Sequence, residues 1–317
     1  MSLFNLDQSK ETIWAMKYRP ERIVDCVLPK ANKAQFLGML ESGKIPNLLL
    51  SSTAPGSGKT TVALSLCKQL GYDVLFLNAS LDNSIDDIRN TIIGFCSSVS
   101  LDSNPKCVLL DESDAMSQAG QAALRGVMEQ FSNVSFILTC NYAQKLIEPI
   151  RSRCAHIEFK INDDERKELL KEYLKRVFFI LTAEGVEFDK KAVIEFVQRY
   201  FPDFRKVLNE LQRYSATGSI DLGVLSTTAD SKVDGLIKAI KNREFSEARK
   251  WIGENAVDYA TFYGKLYEEM YPQLDPSTIP PAILLLAKYQ HMSATVVDQQ
   301  LNLTACVLEL MAEVSFK

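Results

Sequence analysis

The sequence predicts an α/β domain with a five-stranded parallel sheet and helices on both faces, followed by two all-helical regions. Short apolar runs alternate with helical spacings as far as Lys160, and only helical spacings follow it. This alternation is typical of a parallel sheet that is covered on both sides. The predicted strands are Leu48–Leu50, Val74–Leu77, Cys107–Leu110, Val134–Cys140 and His156–Phe159.

A glycine-rich segment, TAPGSGKT, connects the first predicted strand to a helix. Such a turn directs backbone N–H groups and a helix N-terminus at bound phosphate. In this pattern Lys59 reaches the β- and γ-phosphates, and the Thr60 hydroxyl is a ligand of Mg²⁺. The strict pattern has glycine where this chain has Thr53, and an ordinary glycine-rich turn is the alternative. The predicted triphosphate site comprises Thr53, Ala54, Pro55, Gly56, Ser57, Gly58, Lys59, Thr60 and Thr61.

Two adjacent carboxylates, Asp111 and Glu112, end the third predicted strand. Unpaired buried charge is costly, so a strand that ends in this way indicates a functional site. Beside a phosphate loop, Asp111 is predicted to hold Mg²⁺ through water, and Glu112 to orient and polarise the attacking water. A solvated acidic turn is the alternative. Together with Lys59, the pair predicts hydrolysis of a nucleoside triphosphate.

Composition limits the other functions. The 36 basic and 40 acidic residues give a net charge of -4, so composition alone does not indicate nucleic acid, and any DNA contact needs a local lining of groups. Seven scattered cysteines without a C-x-x-C pair predict reduced core residues, and two distant histidines do not suggest a metal site. The apolar runs are too short to span a membrane, and the polar N-terminus lacks a leader. We expect a soluble, cytoplasmic protein.

The helical part is predicted to form two domains. Asp163 and Asp164 are predicted to cap a helix that runs to about Leu181. In the last domain several helices are apolar on more than one face, which is normal for buried helices, so we predict that partner subunits cover it. The apolar residues include Leu284, Leu285, Leu286, Val307, Leu308 and Met311. The predicted domains are 1–160, 161–225 and 226–317.

Three further motifs resemble those of clamp-loader ATPases. WAMKYRP, Trp14–Pro20, resembles the N-terminal segment that wraps the adenine in that family. IRSRC, Ile150–Cys154, resembles its SRC motif, and FPDFRKVLNEL, Phe201–Leu211, resembles its sensor-2 helix. With the phosphate loop and the Asp–Glu pair, the likeness covers nearly the whole chain. The chain is therefore identified as a member of this family, most similar to the T-even phage type and next to the cellular replication factor C type.

The resemblance implies an AAA+ module, a helical lid, and a C-terminal collar that assembles subunits into a hetero-pentameric ring. It implies that the ring, with ATP and Mg²⁺, opens a sliding clamp and places it on primer–template DNA, and that hydrolysis releases the clamp. The implied partners are the sliding clamp, the DNA and other loader subunits, in the cytoplasm of an infected bacterial cell. The alternatives are a structural ring subunit with weak ATPase activity and a different AAA+ DNA-remodelling ATPase.

The resemblance also implies roles for single residues around the nucleotide. Asn141, in the segment LTCNY, matches sensor 1, which senses the γ-phosphate and helps to position water. Arg205 matches sensor 2, which reaches the γ-phosphate from the lid. The residues expected around the adenine are Tyr18, Arg19 and Pro20.

Communication between subunits is assigned to two pairs of residues. Arg153 matches an arginine finger that acts in trans on the neighbour's nucleotide, and Arg151 is its rival. Gln121 and Arg125 are one helical turn apart after the catalytic pair, so they are predicted to couple the site to DNA or to the next subunit. An ordinary surface pair is the alternative.

The DNA and the clamp are expected to bind one predicted helix and the turn before it. Asn83 and Ser84 lead into this helix, which carries Arg89, and helix N-terminal amides can hold DNA phosphate without lysine. Further along, one apolar face lies where the family contacts the clamp, and core packing is the alternative. The residues of this face are Ile92, Phe95 and Val99.

Overall fold

The computed structural model describes residues 11–80, 85–98, 104–216, 218–220, 233–255, 257 and 259–317. The chain divides into two compact units, Met1–Asp221 and Leu222–Lys317. The first unit contains the sheet, and its strands lie within one or two residues of the predicted ones. They are β1 (Leu48–Ser51), β2 (Asp73–Asn78), β3 (Lys106–Asp111), β4 (Ser135–Cys140) and β5 (Ala155–Glu158).

The five strands are all parallel, in the order β2-β3-β4-β1-β5. This arrangement confirms the predicted fold class. Strands β1, β3 and β4 are buried along nearly their whole length, as expected for a parallel sheet with both faces covered. Because the carboxyl ends of parallel strands meet at one edge, Asp111 at the end of β3 and Asn141 after β4 lie side by side.

Helices cover both faces of the sheet. On β1, Leu48 and Leu50 pack in one apolar cluster with Phe36, whereas Leu49 packs in a second cluster with Leu124. Successive strand side chains point to opposite faces, so this division places a layer of helices on each side. The helices of this part are α1 (Trp14–Lys17), α2 (Lys30–Ser42), α3 (Lys59–Gln69), α4 (Ile85–Ser97), α5 (Gln118–Gln130) and α6 (Glu148–Arg151).

Three helices, α7 (Asp163–Ala183), α8 (Lys190–Tyr200) and α9 (Phe204–Ser215), complete the first unit. The sequence predicts only helices here, but two short parallel strands, β6 (Glu187–Phe188) and β7 (Ser219–Ile220), also pair. Strands of two residues carry no readable periodicity, which explains the error. The predicted cap of α7 is also wrong. Asn162 precedes the helix, and Asp163 and Asp164 lie in its first turn, where acidic groups favour the helix dipole.

The described part of the second unit is built from helices, with one isolated bridge between Leu274 and Phe316. Its own core already buries Leu285, Leu286, Val307 and Met311, although the sequence reading assigned these residues to partner subunits. Leu284, in contrast, is 72% exposed. The surface left for a partner is therefore narrower than the sequence indicates. The described helices are Val233–Lys241, Phe245–Glu254, Tyr259–Met270, Ile279–Ser293 and Gln299–Glu313.

All seven cysteines are free, six of them buried and Cys154 partly buried. This agrees with the prediction that they are core residues. No helix among the described residues combines the length and the apolar character needed to cross a membrane.

Candidate nucleotide site

The glycine-rich loop between β1 and α3 is shaped by two glycines with positive φ, Gly56 at 65° and Gly58 at 90°. A Cβ atom on Gly56 would lie 1.9 Å from Oδ1 of Asp203. That carboxylate caps α9 by accepting a hydrogen bond from the N–H of Lys206 at 2.9 Å. The first turn of α9 therefore approaches the loop so closely that only glycine fits at position 56.

Lys59 begins α3, and its side chain is only 8% exposed. Its Nζ donates a hydrogen bond to Oδ1 of Asn141 at 3.0 Å, which joins the loop to the end of β4. Burial lowers the pKa of Lys59, and the nearby cation of Arg205 lowers it further, against the opposite influence of Asp111 and other neighbours. In the same loop Ser57 has a buried hydroxyl without a partner among the described residues. Both groups therefore suit a bound anion.

The carboxylate of Asp111 accepts two hydroxyl hydrogen bonds on Oδ1. Thr60 donates from α3 at 2.7 Å, and Thr139 donates from β4 at 2.5 Å. The hydroxyl of Thr60 and the carboxylate of Asp111 are hard oxygen ligands within reach of one small ion, which is the donor chemistry that Mg²⁺ prefers. These two residues therefore fit the predicted Mg²⁺ site.

Glu112 follows β3 with φ 55° and ψ 41°, a left-handed conformation that is unusual for a residue other than glycine. Its N–H donates to Oγ1 of Thr139 at 3.2 Å, and its side chain is exposed to solvent. Thr139 thus holds both acidic residues, a function that the sequence reading missed. The role of Thr139 follows from the register of β3 and β4. Leu110 pairs with Leu138, so the next residues along the strands, Asp111 and Thr139, face each other.

A further acidic residue, Asp114, holds the end of β4. Its Oδ2 accepts hydrogen bonds from the backbone N–H groups of Asn141 at 3.3 Å and Tyr142 at 3.1 Å. The backbone of Asn141 and its side chain are therefore both fixed, the latter by Lys59. This arrangement presents the amide of Asn141 at the edge of the sheet, beside the two carboxylates.

Next to the loop lies a cavity of about 470 Å³, within the range of small-molecule sites. Residues 56–61 of the loop line it, as do Tyr18, Arg19, Pro20 and Arg205. Thr53, Ala54 and Pro55 are outside its wall. The rest of the wall includes residues of the two predicted motifs, Ala15, Met16, Phe204, Leu208 and Asn209. The wall residues that no predicted motif contains are Ile13, Cys26, Val27, Leu28, Val62, Tyr173 and Arg176.

Three cationic side chains lie at the polar end of this cavity. Burial lowers the pKa of Arg19, and the positive charge of Arg205 lowers it further, while Asp111 opposes the shift. With Lys59, these side chains place three cations close together, where Asp111 and Asp114 offset part of their charge. Three cations at close range repel each other, so an anionic ligand such as a polyphosphate would relieve the repulsion.

Gln121 and Arg125 do not form the surface pair that their spacing suggests. Gln121 is buried: its Nε2 donates to the carbonyls of Met116 at 3.1 Å and Lys145 at 3.2 Å, and its Oε1 accepts from the N–H of Ile147 at 2.8 Å. It therefore joins the loops that follow β3 and β4. Arg125 lies at the surface, with Nε 3.6 Å from Oε1 of Glu129.

Arg153 is outside the wall of the cavity. One of its terminal nitrogens pairs with Glu129 of α5, and the other donates to the carbonyl of Pro149 at 2.7 Å. Arg151 pairs with Glu148 in its own short helix. Neither arginine reaches the nucleotide cavity of its own chain.

Only part of the predicted clamp-contact face on α4 is accessible at the surface. Ile92 is 1% exposed and packs in the core, so its assignment as a contact residue is wrong. The apolar face of α4 turns toward the sheet at this position. Phe95 is half-buried, and the buried Lys106 donates from Nζ to its carbonyl at 2.6 Å and to Oγ of Ser98 at 2.8 Å. Val99 lies outside the described residues.

Of the residues expected to contact DNA, Asn83 and Ser84 lie outside the described residues. Arg89 is on α4, and its side chain is exposed. Their role therefore stays a prediction.

This geometry, with a glycine-rich loop, a Thr–Asp pair, a following glutamate and an overlying helical lid, defines an AAA-type ATPase module. The profile of the "ATPase family associated with various cellular activities (AAA)" matches residues 49–161. The profile of the "Sliding-clamp-loader large subunit, AAA+ ATPase lid domain" matches residues 165–226.

Two phage proteins are similar in sequence to nearly the whole chain. The sliding-clamp-loader large subunit of Enterobacteria phage T4 is 35% identical over 314 residues, with 97% of this chain and 98% of the relative covered. That of Escherichia phage RB69 is 35% identical with 98% of each covered. The replication factor C small subunit of Halobacterium salinarum is 32% identical with 83% of each covered. The chain therefore belongs to the sliding-clamp-loader family, which confirms the family identified from its motifs.

Among solved structures, the Thermotoga maritima RuvB Holliday junction branch migration motor aligns with a TM-score of 0.53. It is 16% identical to this chain, and 91% of each chain is covered. At this identity the likeness shows a shared fold.

Proposed function

We propose that this chain is the ATP-hydrolysing subunit of a loader that opens a sliding clamp and places it on primer–template DNA. One observation carries the proposal. At one edge of the sheet, Lys59 bonds to Asn141 and Thr60 bonds to Asp111, so the loop, the magnesium ligand and sensor 1 form one connected site. Membership of the sliding-clamp-loader family supports the proposal that the ATPase cycle acts on a sliding clamp.

Each binding residue then has a distinct task. Lys59 and the unpartnered hydroxyl of Ser57 bind phosphate oxygens together with the N–H groups of the loop. Arg19 and Arg205 add charge at the polar end of the cavity. A Mg²⁺ ion held by Thr60 and Asp111 would neutralise charge on the β- and γ-phosphates.

The hydrolytic residues surround the position of the γ-phosphate. Glu112, held in its left-handed conformation by Thr139, accepts a proton from the attacking water. Asn141 is fixed by Asp114 and orients the water and the phosphate. Arg205 closes the site from the lid. Arg153, which lies outside its own cavity, would complete the site of a neighbouring subunit in trans.

The loader would act as a hetero-pentameric ring in the cytoplasm of an infected bacterial cell. The second unit would provide the collar, and α4, with Phe95 at its surface and Arg89 exposed, would face the clamp and the DNA. Gln121 would transmit the state of the nucleotide, because it joins the loops that follow the strands of Asp111 and Asn141.

The test uses Glu112→Gln in the complete loader with its cognate clamp. This change keeps the shape of the side chain and removes its basicity, so we expect ATP binding to be unchanged and hydrolysis to fall by about 10²–10⁴-fold. The trapped ATP state should retain the clamp during size-exclusion chromatography in ATP and release it in ADP. Nucleotide affinity is measured with a fluorescent ATP analogue, and turnover by phosphate release.

The control is Glu187→Gln, which changes an exposed acidic residue on β6, outside the cavity wall. It should leave affinity, turnover and clamp retention at the parental values. Parental turnover by Glu112→Gln would exclude the catalytic role of Glu112. Clamp retention that does not depend on ATP would contradict the proposed loader cycle.

A further inference from the structure

One side chain of α9 holds the N-terminal segment that forms part of the cavity wall. Oε1 of Gln212 accepts a hydrogen bond from the N–H of Trp14 at 2.9 Å, and Nε2 donates to the carbonyl of Thr12 at 2.6 Å. These two backbone groups flank a single residue, Ile13. The amide of Gln212 therefore fixes the backbone on both sides of Ile13, as a paired strand would.

The side chain of Ile13 lies in the wall of the cavity and is 51% exposed. Met16, 44% exposed, lies in the same wall. Apolar side chains that are half exposed at a cavity wall gain free energy when a flat, weakly polar group covers them. The base of a nucleotide is such a group, and the polar loop at the other end of the cavity suits its phosphates.

The same helix also carries Arg205, which lines the cavity beside the loop. Gln212 lies seven positions after Arg205, and at a rise of 1.5 Å per residue this is about 10 Å along the axis. That distance is comparable with the length of a nucleotide. One rigid helix can therefore contact the phosphates directly and the base indirectly.

Other lid side chains hold the rest of the N-terminal segment. Oε1 of Glu184 accepts hydrogen bonds from the hydroxyl of Tyr18 at 2.5 Å and from Nζ of Lys17 at 2.7 Å. Arg176 donates to the carbonyl of Tyr18 at 2.6 Å. The segment is thus attached to the lid at several points, and of these contacts only those of Gln212 flank Ile13.

We infer that Gln212 is a positioning residue for the nucleotide base. By orienting Ile13, it couples occupation of the base site to the placement of α9 and its Arg205. The inference rests on the proposed function, because it requires that ATP binds in this cavity.

The experiment compares Gln212→Leu with the parent in the full chain. Leucine has a similar size but cannot form either hydrogen bond, so ATP should bind about tenfold more weakly. Inorganic tripolyphosphate, which lacks a base, should bind both proteins equally. Affinities for ATP and tripolyphosphate are measured by titration calorimetry in the presence of Mg²⁺. The control is the neighbouring Arg213→Ala, because Arg213 bonds to Glu210 and Tyr214 on the same helix.

A double variant tests whether Gln212 acts through Ile13. Ile13→Ala should weaken ATP binding, and adding Gln212→Leu should cause little further loss, because the residue that it positions is already truncated. Additive losses, or an equal loss of tripolyphosphate binding, would overturn the inference. Parental ATP affinity in Gln212→Leu would also overturn it, while leaving the proposed function intact. If the parent itself bound no ATP, the proposed function would fail as well.

Discussion

The two compact units differ in which of their side chains depart from the usual pattern of buried apolar and exposed polar residues. In the first unit, Lys59, Gln121 and Thr139 are polar residues buried at or near the carboxyl edge of the sheet. In the second unit, Asn302 is the one buried polar residue of the part that the structure describes, and it bonds to Tyr263 and Tyr289. Exposed large apolar side chains occur in both units, but in the second unit six of them lie together in sequence on its last two long helices and the turn between them, namely Ile283, Leu284, Met292, Val297, Leu301 and Leu308.

This contrast separates two kinds of function. Buried polar groups reduce stability unless each is hydrogen-bonded. A group of them at the carboxyl edge of the sheet therefore indicates a functional site. Exposed apolar residues keep unfavourable contact with water, so a group of them indicates a surface that another chain covers. This contrast supports the proposal that the first unit carries the catalytic site and that the second unit carries the assembly surface. The following predictions test this division, from the largest expected effect to the smallest.

The largest effect is expected for Arg153→Ala. If the catalytic unit is complete only with a neighbour's arginine, this change should lower DNA- and clamp-stimulated hydrolysis by about 10³–10⁵-fold. ATP binding and ring assembly should be unchanged, because Arg153 lies outside its own cavity. Turnover of the assembled ring is measured by phosphate release, with Arg151→Ala as the matched control.

Mixed rings show whether this arginine acts in trans. Rings that combine Arg153→Ala and Lys59→Ala subunits should recover activity wherever an intact site faces an intact arginine. An absence of recovery in verified mixed rings would place the finger elsewhere. A comparable loss of hydrolysis in Arg151→Ala would mean that Arg151 contributes to the arginine finger as much as Arg153 does.

The next effect concerns the buried amide in the catalytic unit. Gln121→Leu leaves two carbonyls and one N–H without their partner, so the free energy of unfolding should fall by about 3 kcal/mol. Urea denaturation, monitored by circular dichroism, measures this loss. Arg125→Ala on the same helix should cost about 0–1 kcal/mol, because it removes only an exposed ion pair. Equal losses in the two variants would mean that the buried position of Gln121 is incidental.

A smaller effect is expected for the exposed apolar residues of the second unit. Leu284→Ser and Leu301→Ser should leave the free energy of unfolding of the isolated chain nearly unchanged, because the side chains are 72% and 65% exposed. Each should weaken ring assembly by about 1.5–3 kcal/mol if a partner covers the leucine. Sedimentation velocity measures assembly over a range of concentrations.

Leu310→Ala is the control for this surface. Leu310 is fully buried, so its truncation should cost about 2–5 kcal/mol of folding stability. Unaltered assembly in both serine variants would show that these leucines lie outside the contact between subunits.

The smallest effect is expected on α4, at the boundary between its buried face and its exposed face. Phe95 is half-buried, so Phe95→Ala should cost about 1–2 kcal/mol of stability, less than the roughly 3–5 kcal/mol of a fully buried phenylalanine. If Phe95 contacts the clamp, stimulation of ATP hydrolysis by the clamp should decrease while basal turnover is maintained. Thermal unfolding and clamp titrations measure the two effects. Unchanged clamp stimulation would leave Phe95 a packing residue.

The strands of the sheet, to within one or two residues, and the nucleotide-binding loop can be predicted from the sequence. Residues 56–61 line the cavity, and the α/β class and the family are confirmed. These features are encoded in consecutive residues: a strand is an apolar run, a helix has a period, and the loop has fixed spacing. The carboxylates of Asp111 and Glu112 were recognisable for the same reason, because they directly follow a buried strand.

Packing between elements sets which side chains meet across the site. Gln121 and Ile92 lie inside because their helices turn those faces toward the sheet, which helical spacing does not specify. Through the register of β3 with β4, Thr139 donates to the carboxylate of Asp111 and accepts from the backbone N–H of Glu112. Gln212 reaches Thr12 because the lid folds onto the N-terminal segment. Such contacts join residues that are far apart in the chain, so their partners are set by packing between elements and not by any local pattern.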